Sequence, residues 1–280
     1  MPSRDVVQQT LCLVKELYCD QGLDIPVLKK VVARPEWIVV EGAGGACSQA
    51  INFWQDFAGG QEASALFKEM MGEPLDEVAS AFLERGDVSS RCAAIAALNA
   101  LSSRHITPEA LASRGFDTSK SIADHIEKDD VVTVIGYGKL VGWIAKACKK
   151  LYVTEMRPRM RFQTLVIDAD SMGYVPKAID VRPAEDNREV ISASDVVIAT
   201  ASTLANETFE EIFSYAKGAR VRGIYGPSGS MVPDVLLGSG LTFTRAFYAS
   251  DPKRCMQDAL GASSFESALK KNQTSYCITG

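Results

Sequence analysis

Val131-Val132-Thr133-Val134-Ile135-Gly136-Tyr137-Gly138-Lys139-Leu140-Val141-Gly142 is the stretch whose reading decides the fold. Its first five residues are apolar or β-branched without interruption. Such a run fits a strand covered on both faces, as in a parallel sheet with helices on each side. Gly136 and Gly138 then break it, and Leu140 to Lys150 reads as a helix. A glycine at a strand end allows a tight turn, a second lets a ligand approach the backbone, and a third lets the helix pack on the sheet. The helix start that follows offers N–H groups to a small anion. Leu151 to Glu155 reads as the next strand, with an acid at its end, 17 residues after Gly138. In dinucleotide and S-adenosylmethionine sites an acid so placed accepts bonds from ribose hydroxyls. The competing reading keeps the glycines for the turn alone and leaves Glu155 as a solvated strand end.

The same alternation continues downstream. Asp195 to Thr200, Val221 to Tyr225 and Leu241 to Ala246 read as strands, the last of them final. Helices are expected near Asn206 to Lys217 and Pro233 to Leu237. Strands alternating with helices imply a parallel sheet. After Thr200 the chain carries a dense polar turn, with Ser202, Thr203, Asn206 and Thr208. After Tyr225 it carries Gly226-Pro227-Ser228. Ligands in open α/β sheets sit outside the carboxyl ends of the strands, so these turns are expected to share an edge with Gly136, Tyr137 and Gly138. Helix capping accounts for one residue of the polar turn, Asn206 or Thr203, but not for four. The Gly226 turn reads equally as an anion nest or as a simple proline turn.

The first half is different. Residues 4–19 carry apolar positions at helical spacing, Val7, Leu11, Val14, Leu17 and Tyr18. Trp37 to Val40 reads as a strand running into Gly42 to Gly45. Residues 62–84 read as helical with a break near Gly72 and Pro74. Ser89 to Leu101 reads as a buried, alanine-rich helix capped by Ser89 or Ser90. Residues 103–121 read as a polar connector and Ser121 to Ile126 as a helical turn.

Several residues together carry a family resemblance: Ala96-Ala97-Leu98-Asn99-Ala100-Leu101, the Thr200-x-Ser202-Thr203-x-x-Asn206-x-Thr208 turn and Gly226-Pro227-Ser228. In this order they resemble the putative heavy-metal-chelation family, over most of the chain and most specifically in its second half. The resemblance implies an α/β architecture. A smaller α+β, enolase-N-terminal-like domain, residues 1–120, precedes a Rossmann-like parallel-sheet domain, residues 121–280. It also implies a site between the two, to which Asn99 would contribute. The other reading of Asn99 is a buried amide tying helix ends together.

Bulk properties narrow the function. At 280 residues, 46% hydrophobic and 23% charged, the chain has material for two cores. A net charge of −5 disfavours nucleic acid. Arg157, Arg159 and Arg161 are too few to reverse that balance. No apolar run of about 18 residues suggests a membrane span, and Met1 to Asp5 begins no apolar signal core. A cytoplasmic protein is expected. Seven scattered cysteines, an odd number without a CxxC pair, fit reduced thiols. His105 and His125 lack metal-ligand spacing, and Asp168-x-Asp170 fits a hard cation or a solvated loop.

The expected function is binding of a small molecule, a metabolite or metal complex, in the interdomain cleft, by a chain that could also pair as a homodimer. The alternative is an enzyme using a nucleotide cofactor, S-adenosylmethionine or NAD(P), with Glu155 on the ribose. A divalent metal is the third cofactor class considered. No catalytic dyad stands out, and Tyr137 and Lys139 are the nearest titratable groups. A purely structural protein fits least, because polar residues converging on one sheet edge mark a pocket.

Overall fold

The computed structural model describes residues 5–53, 60–156, 179–261 and 272–280. The D-x-D pair Asp168 and Asp170, the apolar run 165–167 and the three arginines 157, 159 and 161 lie outside them.

The chain opens with helix α1, Val6–Asp20, capped by Asp5, whose carboxylate accepts from Val7 N–H at 3.2 Å. Val7, Leu11, Val14 and Tyr18 form its buried stripe. A three-stranded antiparallel sheet follows in the order β1 (Leu28–Ala33), β2 (Trp37–Gly42), β3 (Cys47–Ile51). Only β2 is legible in the sequence, because β1 carries Lys29-Lys30 and β3 carries Ser48-Gln49. Helices α2 (Gly60–Glu69) and α3 (Leu75–Glu84) are separated at Gly72 and Pro74 as expected.

Helix α4, Val88–Ser102, is the central support of this half. Every residue from Ser89 to Ser102 is buried. Its alanines at 93, 94, 96, 97 and 100 let α3 and β3 approach closely. The cap is Asp87 rather than Ser89 or Ser90. Its carboxylate accepts from Ser90 N–H at 2.9 Å and Ser90 Oγ at 2.6 Å, and a charged acceptor is the stronger partner. The connector 103–121 is more ordered than its polarity suggests. It holds helix α5, Pro108–Ser113, with Pro108 in its first turn and Thr107 as cap. A capping box between Ser121 and Asp124 closes the turn Ile122–His125.

The second half is a seven-stranded sheet. Its strands are β4 (Val131–Ile135), β5 (Lys150–Glu155), β6 (Ile179–Pro183), β7 (Val196–Thr200), β8 (Val221–Tyr225), β9 (Phe243–Ala249) and β10 (Gln273–Ile278). Their spatial order is β10-β9-β8-β7-β4-β5-β6. All described pairings are parallel except β9 with β10. The expected final strand, Leu241 to Ala246, therefore runs further and is followed by an antiparallel edge strand. The helix expected over Leu140 to Lys150 is the shorter α6, Val141–Ala147. It ends where Lys149 and Lys150 turn their N–H groups to Asp130 O. The helix expected over Asn206 to Lys217 shortens to Phe209–Tyr215.

Alternation along the strands explains the continuous apolar runs. Val132, Val134, Val196 and Ile198 enter one core with Phe243. Their neighbours Ile135, Val197 and Ala199 enter another, which continues without a break into α1, α3 and α4. Both faces are covered, so both sets of positions must be apolar. Among the described residues no helix is long and apolar enough to cross a membrane.

His105 is buried against Tyr18, the rings edge to face at 4.9 Å. Burial above all, then the charges of Arg104 and Arg114, pushes its imidazole down to about 4. An unfolded histidine titrates near 6.5. Between about pH 6.5 and pH 4 the unfolded chain therefore binds a proton that the folded chain refuses, and stability falls as pH falls through that window. Burial lowers His125 too, in the same sense. Urea denaturation at pH 7 and pH 4.5 is expected to show a smaller acid loss in His105→Gln than in the parent. An equal loss in both would overturn the assignment.

Candidate functional site

Gly136 follows β4 directly, with φ +87°, a conformation that favours glycine. Its N–H donates to Thr154 O at 2.8 Å, across to β5. A Cβ on Gly136 would stand 2.8 Å from Thr200 Cγ2. The turn after β4 and the turn after β7 are thus in contact, at the point where strand order reverses. Close approach falls here and not at Gly142, beside which there is open space.

Tyr225, the last residue of β8, reaches past β7 and donates its hydroxyl to Gly136 O at 3.1 Å. The same oxygen lies 3.2 Å from where a Cβ on Gly138 would be. Tyr137 N–H donates to Glu155 Oε2 at 2.9 Å, and Glu155 is buried, 8% exposed. The acid that ends β5 is therefore neither a solvated strand end nor remote from the turn. It caps the turn from the side. Helix α6 begins only at Val141, whose N–H is taken by Gly138 O at 3.0 Å.

The polar turn after β7 divides. Thr200 Oγ1 and Ser202 Oγ share a hydrogen bond at 3.1 Å, and both residues are half-buried at the edge. Thr203 is buried and donates to Thr200 O at 2.8 Å, so it closes the turn. Asn206 Oδ1 accepts from Thr208 Oγ1 at 2.8 Å, while its amide reaches Met156 Sδ at 3.6 Å beyond β5. Glu207 between them has φ +61°. Arg91 of α4 holds this turn. Its Nε donates to Leu204 O at 2.6 Å, and its terminal nitrogens lie 2.7 Å from Asp5 and 3.5 Å from Glu207.

The third turn lies against the second. Gly226 has φ +114°, and a Cβ there would be 3.8 Å from Thr200 Oγ1. Pro227 O accepts from Asn99 Nδ2 at 3.0 Å, and the same amide donates to Gln49 O at 2.9 Å. Asn99 thus ties β3 to the Pro227 turn rather than one helix end to another. Its Oδ1 is buried and has no hydrogen-bond partner among the described residues. Ser228 Oγ accepts from Ile51 N–H at 3.0 Å, so this hydroxyl faces β3.

The structure therefore joins Gly136, Gly138, Thr200, Ser202 and Gly226 through Tyr225 and Thr200, pairs Tyr137 with Glu155, and anchors Pro227 and Ser228 to the first half. Tyr225 and Arg91 escape a reading of the sequence. Tyr225 occupies the same strand-end position as Ile135 and Thr200, and that position was the available signal. Arg91 has no signal, since its partners are distant in sequence.

Among the described residues no three His, Cys, Asp or Glu side chains come together. Burial holds the thiols of Cys47, Cys92, Cys255 and Cys277 above their usual range, Cys92 and Cys255 at about 12. The hydroxyls and amide at the sheet edge are hard donors, unsuited to a soft heavy metal.

Comparison with known proteins bears on the fold. A protein of unknown function from Desulfitobacterium hafniense, of the DUF364 family, superposes with a TM-score of 0.70 at 18% identity, over 95% of this chain and 98% of its own. A second, from Pyrococcus horikoshii, gives 0.68 at 20% identity, over 97% and 100%. An uncharacterized protein of Methanocaldococcus jannaschii is 23% identical over 264 residues, 91% of this chain and 92% of that one. The model of DUF364, described as "Putative heavy-metal chelation", matches residues 120–276. That span is more than half of the chain, and it contains every turn at the sheet edge: the protein belongs to the DUF364 family.

Proposed function

We propose that the protein binds a small ligand, a metabolite or a metal complex, at the carboxyl edge of the seven-stranded sheet, in the cleft where that sheet meets α4 and β3. One observation carries this reading. The turns after β4, β7 and β8 are in mutual contact at the reversal of strand order, where open α/β sheets hold ligands. A second reading is a nucleotide-cofactor enzyme using NAD(P) or S-adenosylmethionine. The strand order supports it: from β6 to β9 it runs as in dinucleotide-binding folds.

Thermal-shift titration of the full chain with NAD(H), S-adenosylmethionine and divalent metal ions, with and without a chelator, tests both. A ligand at 100 times its Kd stabilises the folded state by roughly 2.7 kcal/mol. The shift is expected to shrink in Thr200→Val, which removes the hydroxyl and keeps the shape. A shift that persists undiminished in Thr200→Val and in Gly136→Ala would put the ligand elsewhere.

A further inference from the structure

We infer that residues 205–208 form a strap across the carboxyl end of β4, held shut in a strained conformation and able to swing open. This rests on the reading that a ligand occupies that edge, and it names how the seat is reached. β4 lies between β7 and β5, so the elements on its two sides stand two strand spacings apart, about 10 Å. The chain nevertheless makes contact across it. Asn206, in the turn after β7, donates from Nδ2 to Sδ of Met156, which follows β5, at 3.6 Å.

The shut strap carries a cost at two adjacent residues. Glu207 has φ +61° and is the only non-glycine residue with positive φ among the described residues. A side chain is crowded by its own backbone in that region, where Gly, Asn or Asp is the usual occupant. The Glu207 carboxylate returns little, since it is mostly exposed and lies 3.5 Å from Arg91 Nη1. Arg91 is already matched by Asp5 at 2.7 Å. Thr208 carries the second cost. It is the N-cap of the helix Phe209–Tyr215, where a threonine is ordinarily extended and its hydroxyl accepts from the first helical turn. Here its backbone is helical, with φ −95° and ψ −1°, and the hydroxyl caps nothing. It turns back instead and donates to Asn206 Oδ1 at 2.8 Å.

Rotating Glu207 to negative φ parts Asn206 from Thr208, relieves the crowding and lets Thr208 extend into its capping position. The shut state therefore stands on the bonds of Asn206, one to Thr208 and one to a weak sulfur acceptor. Leu204 is the fixed end of the swing, because Arg91 Nε holds its carbonyl at 2.6 Å.

Asn206→Ala removes both bonds and is expected to open the strap. Thr208 then caps the helix, so amide exchange at Glu210 and Glu211, the N–H groups such a cap satisfies, slows relative to the parent. Thr208→Ala added to Asn206→Ala is expected to lower Tm by roughly 2–4 °C, the loss of one cap in a chain of this size. A fixed turn gives the opposite. With Asn206 gone the Thr208 hydroxyl has no role, its removal leaves Tm unchanged, and Glu210 and Glu211 exchange no slower. Either result overturns the inference. Glu207→Gly tests the strain directly and leaves Asn206 and Thr208 in place. Its Tm is expected to rise by roughly 2 °C. A fall would show that the carboxylate outweighs the backbone, and the strap would then be under no strain to open. None of these readouts involves a ligand. A strap that does not open is thereby told apart from an edge that binds nothing, which the thermal-shift titration with Thr200→Val reads.

Discussion

Replacing Gly223 by alanine is expected to cost about 3 kcal/mol of stability, the upper part of the usual range for overpacking a core. Gly223 lies in the middle of β8, paired with Ile198 on one side and Phe243 on the other. A Cβ at this position would fall on the Phe243 ring itself. That ring is fully buried and stacks on His125 at 4.9 Å, so it has no vacant space to enter. For a chain of this size such a loss lowers Tm by roughly 6–12 °C. Gly142→Ala provides the contrast. Gly142 sits inside α6 with nothing near its Cβ position, so alanine there is expected to stabilise by about 0.5–1 kcal/mol. Differential scanning calorimetry of both variants checks the pair. Equal midpoints would show that the sheet yields at Gly223.

Asn99→Ala is the second large effect. The substitution removes the amide that satisfies Gln49 O and Pro227 O inside the protein. A buried acceptor left without its donor costs about 1–3 kcal/mol, so a total near 3 kcal/mol is expected. The damage has a direction. Among the described residues the Pro227 turn loses one of its two side-chain ties to the first half, keeping the bond from Ile51 N–H to Ser228 Oγ, while Ser230 stays bonded to Phe247 N–H. Hydrogen exchange is expected to quicken at Ile51 and around residues 226–230 more than in the strands β4 and β7. Ser228→Ala cuts the other fastening and is expected to cost less, about 1–2 kcal/mol, since one bond is lost. Urea denaturation measures both. An Asn99→Ala chain within 1 kcal/mol of the parent would sink the idea that this amide holds the turn.

The central strands of the large sheet were legible because burial on both faces demands an unbroken apolar run, and Val131 to Ile135 has one. β1, β3 and β10 were not legible. Gln49 is 3% exposed but is bonded through its backbone and side chain to distant residues, so polarity there does not mean solvent. Gln273 and Ser275 disguise β10 in the same way. At the site, Gly136, Thr200 and Gly226 announced themselves by punctuating strands. Their mutual contact did not, nor did the capping of Tyr137 by Glu155, because both depend on register across the sheet. Ser228 looked like an edge hydroxyl and instead fastens β3, since the turn after β8 folds toward the first half. Ser89 and Ser90 fit the preferences for a helix cap, and Asp87 took the position through its charge.

Helix α4 grips two of the three turns, Leu204 through Arg91 and Pro227 through Asn99. These contacts span 113 and 128 residues, and the Ile51 to Ser228 bond spans 177. Closing loops of that length is slow, and its entropy must be lost before the contacts reward it. From loop length alone, the edge of the sheet is expected to be among the last parts of the molecule to take shape during folding. A half-length chain could form its strands and still lack the ties that hold their turns together.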